Sequence, residues 1–148
     1  MCFFMTKPSS PSDFMKQESL DAIAQVVKES EFNIPFRTPP KVWTPYIPDT
    51  NSMVPVSDFG HNNIYISGVD EADHKSLIEF LKVGDIAVYR FPADMTQPTK
   101  SLISHRIVEI GKDKDGRYFK FKGDNNSFKD SQKVRDENIK WASIGVLY

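Results

Sequence analysis

Apolar and polar positions along the chain follow two periodicities. Near the start, Leu20, Ile23, Ala24 and Val27 recur at i, i+3, i+4 and i+7, the spacing of one buried helix face. Ser10 can cap such a helix, Pro11 suits its first position, and Asp13 stands three residues after the cap. A helix is therefore expected from about residue 10 to residue 30, packed on the rest of the molecule rather than on a partner. A second helix should begin after Asp70, with Leu77, Ile78 and Leu81 on its buried side. Elsewhere the pattern is that of strands. Short strands are expected at 63–66 and 86–91, and a long run rich in branched residues at 102–110. Alternation returns at 118–122 after the hairpin signal Lys114-Asp115-Gly116, and a last strand is expected at 141–147. Turns fall at 82–85 and 123–126, and a loop at 92–98.

Between residues 32 and 48 the pattern is broken by Pro35, Pro39, Pro40, Pro45 and Pro48. Proline removes a backbone donor and fixes φ, so helix is excluded there and a central strand is disfavoured. The segment reads as an extended connector, with Trp43 and Tyr46 packing on the domain surface. A polyproline ligand for a partner would rest on Pro39-Pro40 alone. The expected organisation is a tail and amphipathic helix at 1–31, a connector at 32–48 and one main domain at 49–148. The fold class is mainly β (α+β), with an N-terminal helix and one inserted helix.

Composition narrows the function classes. The 148 residues are 39% hydrophobic, 26% charged and 12% aromatic, with 11 Phe, which suits a globular domain with an aromatic β core. A net charge of −1, with acids and bases interspersed, argues against a nucleic-acid or anionic-membrane partner. Cys2 is the only cysteine, and His61, His74 and His105 are scattered, so no metal or other cofactor is expected. No apolar run approaches the roughly 20 residues of a membrane helix. Met1 to Met5 is apolar but short and lacks the layout of a secretion signal. A soluble, cytoplasmic protein is the expectation; oligomeric state is not encoded in any feature of the sequence.

Candidate chemistry begins at Ser52, between a short polar run and Met53-Val54-Pro55. Pro55 restricts its own φ and that of Val54, a frame suited to a hydroxyl that must point one way. A serine hydroxyl needs a base to become a nucleophile, and His105 is the best candidate because imidazole titrates near neutrality. Asp124 or Asp130 could orient that base. Singly, each has an ordinary reading: a proline-rich turn, a strand histidine, a Gly-Asp-Asn-Asn loop, a solvated charge.

Their order changes the picture. Ser52-Met53-Val54-Pro55 comes first, then Gly84-Asp85 leading into a strand. Ser104-His105-Arg106-Ile107-Val108 follows, then Lys122-Gly123-Asp124-Asn125-Asn126 with Asp130 beyond. This succession resembles the signal peptidase I family, in the endoplasmic-reticulum and archaeal branch that uses histidine as base. The resemblance covers about residues 44–148. It implies a signal-peptidase-like β fold in a catalytic domain at 49–148, with an insertion at about 57–81. It also implies Ser52 as nucleophile, His105 as general base, and Asp124 and Asp130 as the two acidic positions, without saying which orients His105. The Ser52 N–H, with the Thr50 hydroxyl, would hold the oxyanion. The partner would be a peptide or protein substrate, bound as an added strand and cut after a small side chain.

The chain departs from that pattern in four places. No membrane anchor is visible, Asn51 replaces a small residue and would narrow the oxyanion pocket, Val56 stands where threonine is common, and the insertion is long enough to form a lid or a substrate-selecting subdomain. A soluble processing protease encoded by a virus or mobile element would fit these features. Two other readings stay open: a self-cleaving repressor-like peptidase and a non-catalytic peptide-binding or structural module on the same scaffold.

Overall fold

The computed structural model describes residues 17–29, 34–45, 50–57, 61–90 and 102–147. Helix α1 (Gln17–Glu29) carries Glu18 in its first turn and Lys28 in its last, matching the helix dipole. Its Ala24 is buried and Ile23 packs against the core, while Val26 stays exposed. Ser10, Pro11 and Asp13, the expected helix start, lie outside the described residues.

Strand β1 (Lys41–Trp43) forms inside the stretch expected to be a connector. It pairs antiparallel with β2 (Asn62–Ser67), Lys41 opposite Ser67 and Trp43 opposite Tyr65. The prolines explain how this is possible: Pro39, Pro40 and Pro45 flank the strand rather than interrupt it, and it lies at a sheet edge. Trp43 packs against Tyr65 and Trp141, with ring centroids 5.7 and 5.4 Å apart. Tyr46 lies outside the described residues.

Helix α2 (Glu71–Phe80) begins as expected at Asp70, whose carboxylate accepts from the Asp73 N–H at 2.9 Å. Asp73 is itself buried and accepts from the backbone N–H groups of Arg37 and Thr38 and from the Thr38 hydroxyl. Those donors, led by the Arg37 N–H, hold its carboxyl below the usual range despite burial. The 34–38 segment is thereby tied to α2. Leu77 and Ile78 are buried in the core together with Leu81 just past the helix.

Strands β3 (Ile86–Arg90), β4 (Leu102–Asp113), β5 (Gly116–Lys122) and β6 (Ile139–Leu147) complete one six-stranded sheet in the order β1-β2-β6-β3-β4-β5. All its neighbours are antiparallel. The turn before β3 uses Gly84 at φ +102° and the β4–β5 hairpin uses Gly116 at φ +108°, where a side chain would be strained. The protein is thus mainly β with two helices. Its core joins Ile66 and Ala142 with Ala87, Tyr89, Ile107, Phe119 and Phe121 from the sheet, covered by α2.

Much of the 57–81 insertion is built into the fold: it contains β2, in the body of the sheet, and α2, and its Ile66, Leu77 and Ile78 are almost wholly buried in the core.

Candidate active site

Ser52 opens a turn over residues 52–56, anchored by the buried Met53 side chain. Within the turn the Ser57 N–H donates to the Met53 carbonyl at 3.0 Å. The Val54–Pro55 peptide is cis, and Asn51 has φ +56°. Asparagine tolerates the left-handed region better than other residues with a Cβ, which is a local reason for Asn51 at a position where glycine would also fit.

A second segment clamps this turn. The Asn125 N–H donates to the Ser52 carbonyl at 3.0 Å, and the Asn125 side-chain amide donates to the Asn51 carbonyl at 3.1 Å. Gly123 permits the approach, because a Cβ there would lie 2.6 Å from the Ser52 carbonyl oxygen. The Ser52 hydroxyl sits 3.3 Å from the Thr50 hydroxyl. Among the described residues no hydrogen bond joins it to His105.

His105 lies on β4 opposite Ala87 of β3 and is largely buried. Its Nδ1 is 2.7 Å from Asp130 Oδ2, and the Tyr89 hydroxyl donates to that same oxygen at 2.7 Å. The Asp130 N–H donates to the Phe121 carbonyl at 2.8 Å, fixing the acid beside β5. Burial, and then the Asp130 carboxylate, push the Tyr89 phenol well above its ordinary pKa, so it stays a donor. A carboxylate that accepts from both neighbours requires the imidazole proton on Nδ1, which leaves Nε2 as the basic nitrogen.

Asp124 is placed differently. It accepts two hydrogen bonds from the Arg106 guanidinium, at 2.8 and 2.6 Å, and Arg106 also donates to the Gly84 carbonyl at 2.7 Å. The structure thus brings Asp130 to His105 and engages Asp124 with the neighbouring arginine, which ties the Gly84 turn, β4 and the 123–126 loop together.

Thr50, Ser52 and His105 line one cavity of about 340 Å³, together with Met53, Ser57, Asn63 and residues 102–104. Beside it, β4 outruns its neighbour: pairing with β5 starts at Arg106 opposite Lys122, so residues 102–105 have no partner in β5. Among the described residues no group of three or more His, Cys, Asp or Glu side chains could hold a metal ion, and no helix is long and apolar enough to cross a membrane. A hydroxyl, an imidazole with its carboxylate, and a strand edge unpaired among the described residues can together support acyl transfer on an extended chain.

Sequence reasoning did not single out Tyr89, Asn125, Ser57 or Asn63. Asn125 stood inside the recognised Gly-Asp-Asn-Asn run and could have been found there. Tyr89, an aromatic in a core strand, gave no signal of its own.

A 63-residue stretch of the chain is 38% identical to signal peptidase I W of Bacillus subtilis (strain 168). The match covers 43% of this chain and 30% of that protein, a partial likeness to a signal peptidase I. No family model matches the chain, and no solved structure matches it.

Proposed function

We propose that the protein is a serine endopeptidase of the signal peptidase I kind, with residues 49–148 as its catalytic domain. Ser52 is the nucleophile, His105 the general base and Asp130 the residue that orients it. The observation that carries this reading is the shared cavity of Ser52 and His105, with Asp130 gripping the far nitrogen of the ring. The partial likeness to a signal peptidase I supports it independently.

In this reading a substrate strand pairs with the edge of β4 at residues 102–104, which has no partner in β5, and lays its scissile carbonyl beside Ser52. Closure brings the Ser52 hydroxyl from Thr50 to His105 Nε2, which takes its proton as the oxygen attacks. The Ser52 N–H, which has no hydrogen-bond partner among the described residues, then holds the oxyanion with the Thr50 hydroxyl. His105 passes the proton to the leaving amine, and water frees the acyl group by the same route. Asp124 acts through Arg106, as a positioning residue for the loop that clamps Ser52.

The test uses extended peptides with small residues before the cut. Ser52→Ala and His105→Ala should each abolish turnover with unchanged circular dichroism. One observation favours a second reading, a non-catalytic peptide-binding module: Ser52 is bonded to Thr50 instead of His105. That module would bind peptides, never cleave them, and lose nothing on Ser52→Ala.

A further inference from the structure

Next to the catalytic cavity a second pocket, of about 350 Å³, collects positive charge. Lys41 of β1, Arg90 of β3 and Lys140 of β6 line it, and among the described residues no carboxylate does. Ser67 and His74 complete its polar wall. Both ring nitrogens of His74 are already engaged, one by the Ile139 carbonyl at 2.9 Å and one by the Ser67 hydroxyl at 3.2 Å, so the three longer side chains give the pocket its character.

Arg90 stands apart from the other arginines. Arg37, Arg106, Arg117 and Arg135 each grip a carboxylate of this chain. Arg90 is exposed and, among the described residues, has neither an ion pair nor a hydrogen bond from its side chain, and the same holds for Lys41. Lys140 gives one of its three donors to the Glu137 carbonyl, which leaves its charge uncompensated. Cations gathered without acids raise the local potential, and a guanidinium offers the planar fork that a carboxylate fits.

The position of this pocket suits a substrate. It shares Leu102 with the cavity that holds Ser52 and His105, and Arg90 stands directly opposite Leu102 in the β3–β4 register. His105 follows Leu102 on the same strand after a rise of about 10 Å. A peptide laid along residues 102–104 with its scissile bond near His105 therefore brings a side chain about three to five residues from the cut within reach of Arg90.

We propose that Arg90, Lys41 and Lys140 form a subsite for an acidic side chain, Asp or Glu, of the peptide substrate. This rests on the peptidase reading and specifies its substrate class. A neutral side chain there leaves the cations to water, and a Lys or Arg is repelled.

The experiment compares peptides identical except at one position about three to five residues on either side of the cut, with Glu, Gln or Lys placed there in turn. Wild type should favour Glu over Gln by about tenfold in kcat/KM at one of those positions and disfavour Lys, with the ratio shrinking in about 0.5 M sodium chloride. Arg90→Gln should bring the Glu-over-Gln ratio within about threefold, and Arg90→Glu should turn the preference towards Lys; urea midpoints near that of wild type would show both variants folded. Binding of the same peptides to Ser52→Ala, followed by calorimetry, reads the subsite without turnover. Cleavage with no acidic preference, or a preference untouched at Arg90, would overturn the subsite and leave the peptidase reading standing. Binding of inorganic phosphate alongside equal affinity for the Glu and Gln peptides would also overturn it, in favour of a free-anion site. Arg90-dependent binding of the Glu peptide without cleavage by wild type would support the acidic subsite and remove the peptidase reading.

Discussion

Asp130 carries the sharpest prediction. Its Oδ2 accepts from His105 Nδ1 and from the Tyr89 hydroxyl, each at 2.7 Å. Asp130→Asn preserves shape but removes the charge, turning two charge-assisted hydrogen bonds into neutral ones at a cost of about 1 kcal/mol each. Folding stability should therefore fall by about 2 kcal/mol. Catalysis should suffer more, because the imidazolium formed during attack loses its counter-charge and the amide no longer enforces one tautomer; the rate should drop by about 10³. Tyr89→Phe is the control. It removes one hydrogen bond at about 1 kcal/mol, leaves the His105 contact in place, and should keep the rate within about tenfold. Peptide turnover and urea unfolding on both variants supply the numbers. If Asp130→Asn costs no more rate than Tyr89→Phe while both lose stability, Asp130 serves packing alone and the assigned role is wrong.

Three further outcomes follow from the geometry. Gly123→Ala would set a methyl group 2.6 Å from the Ser52 carbonyl oxygen, so turnover should fall by about 10² through displacement of the serine, with KM little changed; unchanged kcat would mean the loop yields freely. Asp73→Ala strands the Thr38 hydroxyl and two backbone donors, so urea unfolding should show a loss of about 3 kcal/mol while peptide turnover per folded molecule is kept. Both Tyr65 and Tyr89 have pKa values raised by burial. Their unfolded phenols release protons near pH 10, so stability should be level below about pH 10 and fall as pH rises further, by up to about 1.4 kcal/mol per unit for each group. Tyr89→Phe should flatten that slope; an identical slope would contradict the assignment.

Strands β3, β4, β5 and β6 were legible because period-two alternation and a Gly-marked hairpin are local signals. Helix α2 was legible from Asp70 and its apolar spacing. β1 was not, because five prolines dominate its surroundings and only pairing with β2 shows that they fall outside the strand. Nothing local in the insertion says that Ile66 and Leu77 meet the same core. At the candidate site, Ser52 and His105 could be named from motif order, but the choice between Asp124 and Asp130 could not. Arg106, next in sequence to His105, points to a different acid, and only the fold shows which carboxylate each neighbour meets.

The run from Asn125 to Asp130 touches both halves of the candidate machinery: one end grips the serine turn and the other grips the imidazole. Its length therefore acts as a spacer that sets how the two reacting groups are offset. Adding or deleting a single residue in the exposed middle, near Phe128, should uncouple hydroxyl from ring without disturbing any core side chain. Natural variation in this protein should then tolerate changes of residue type there far more readily than changes of length.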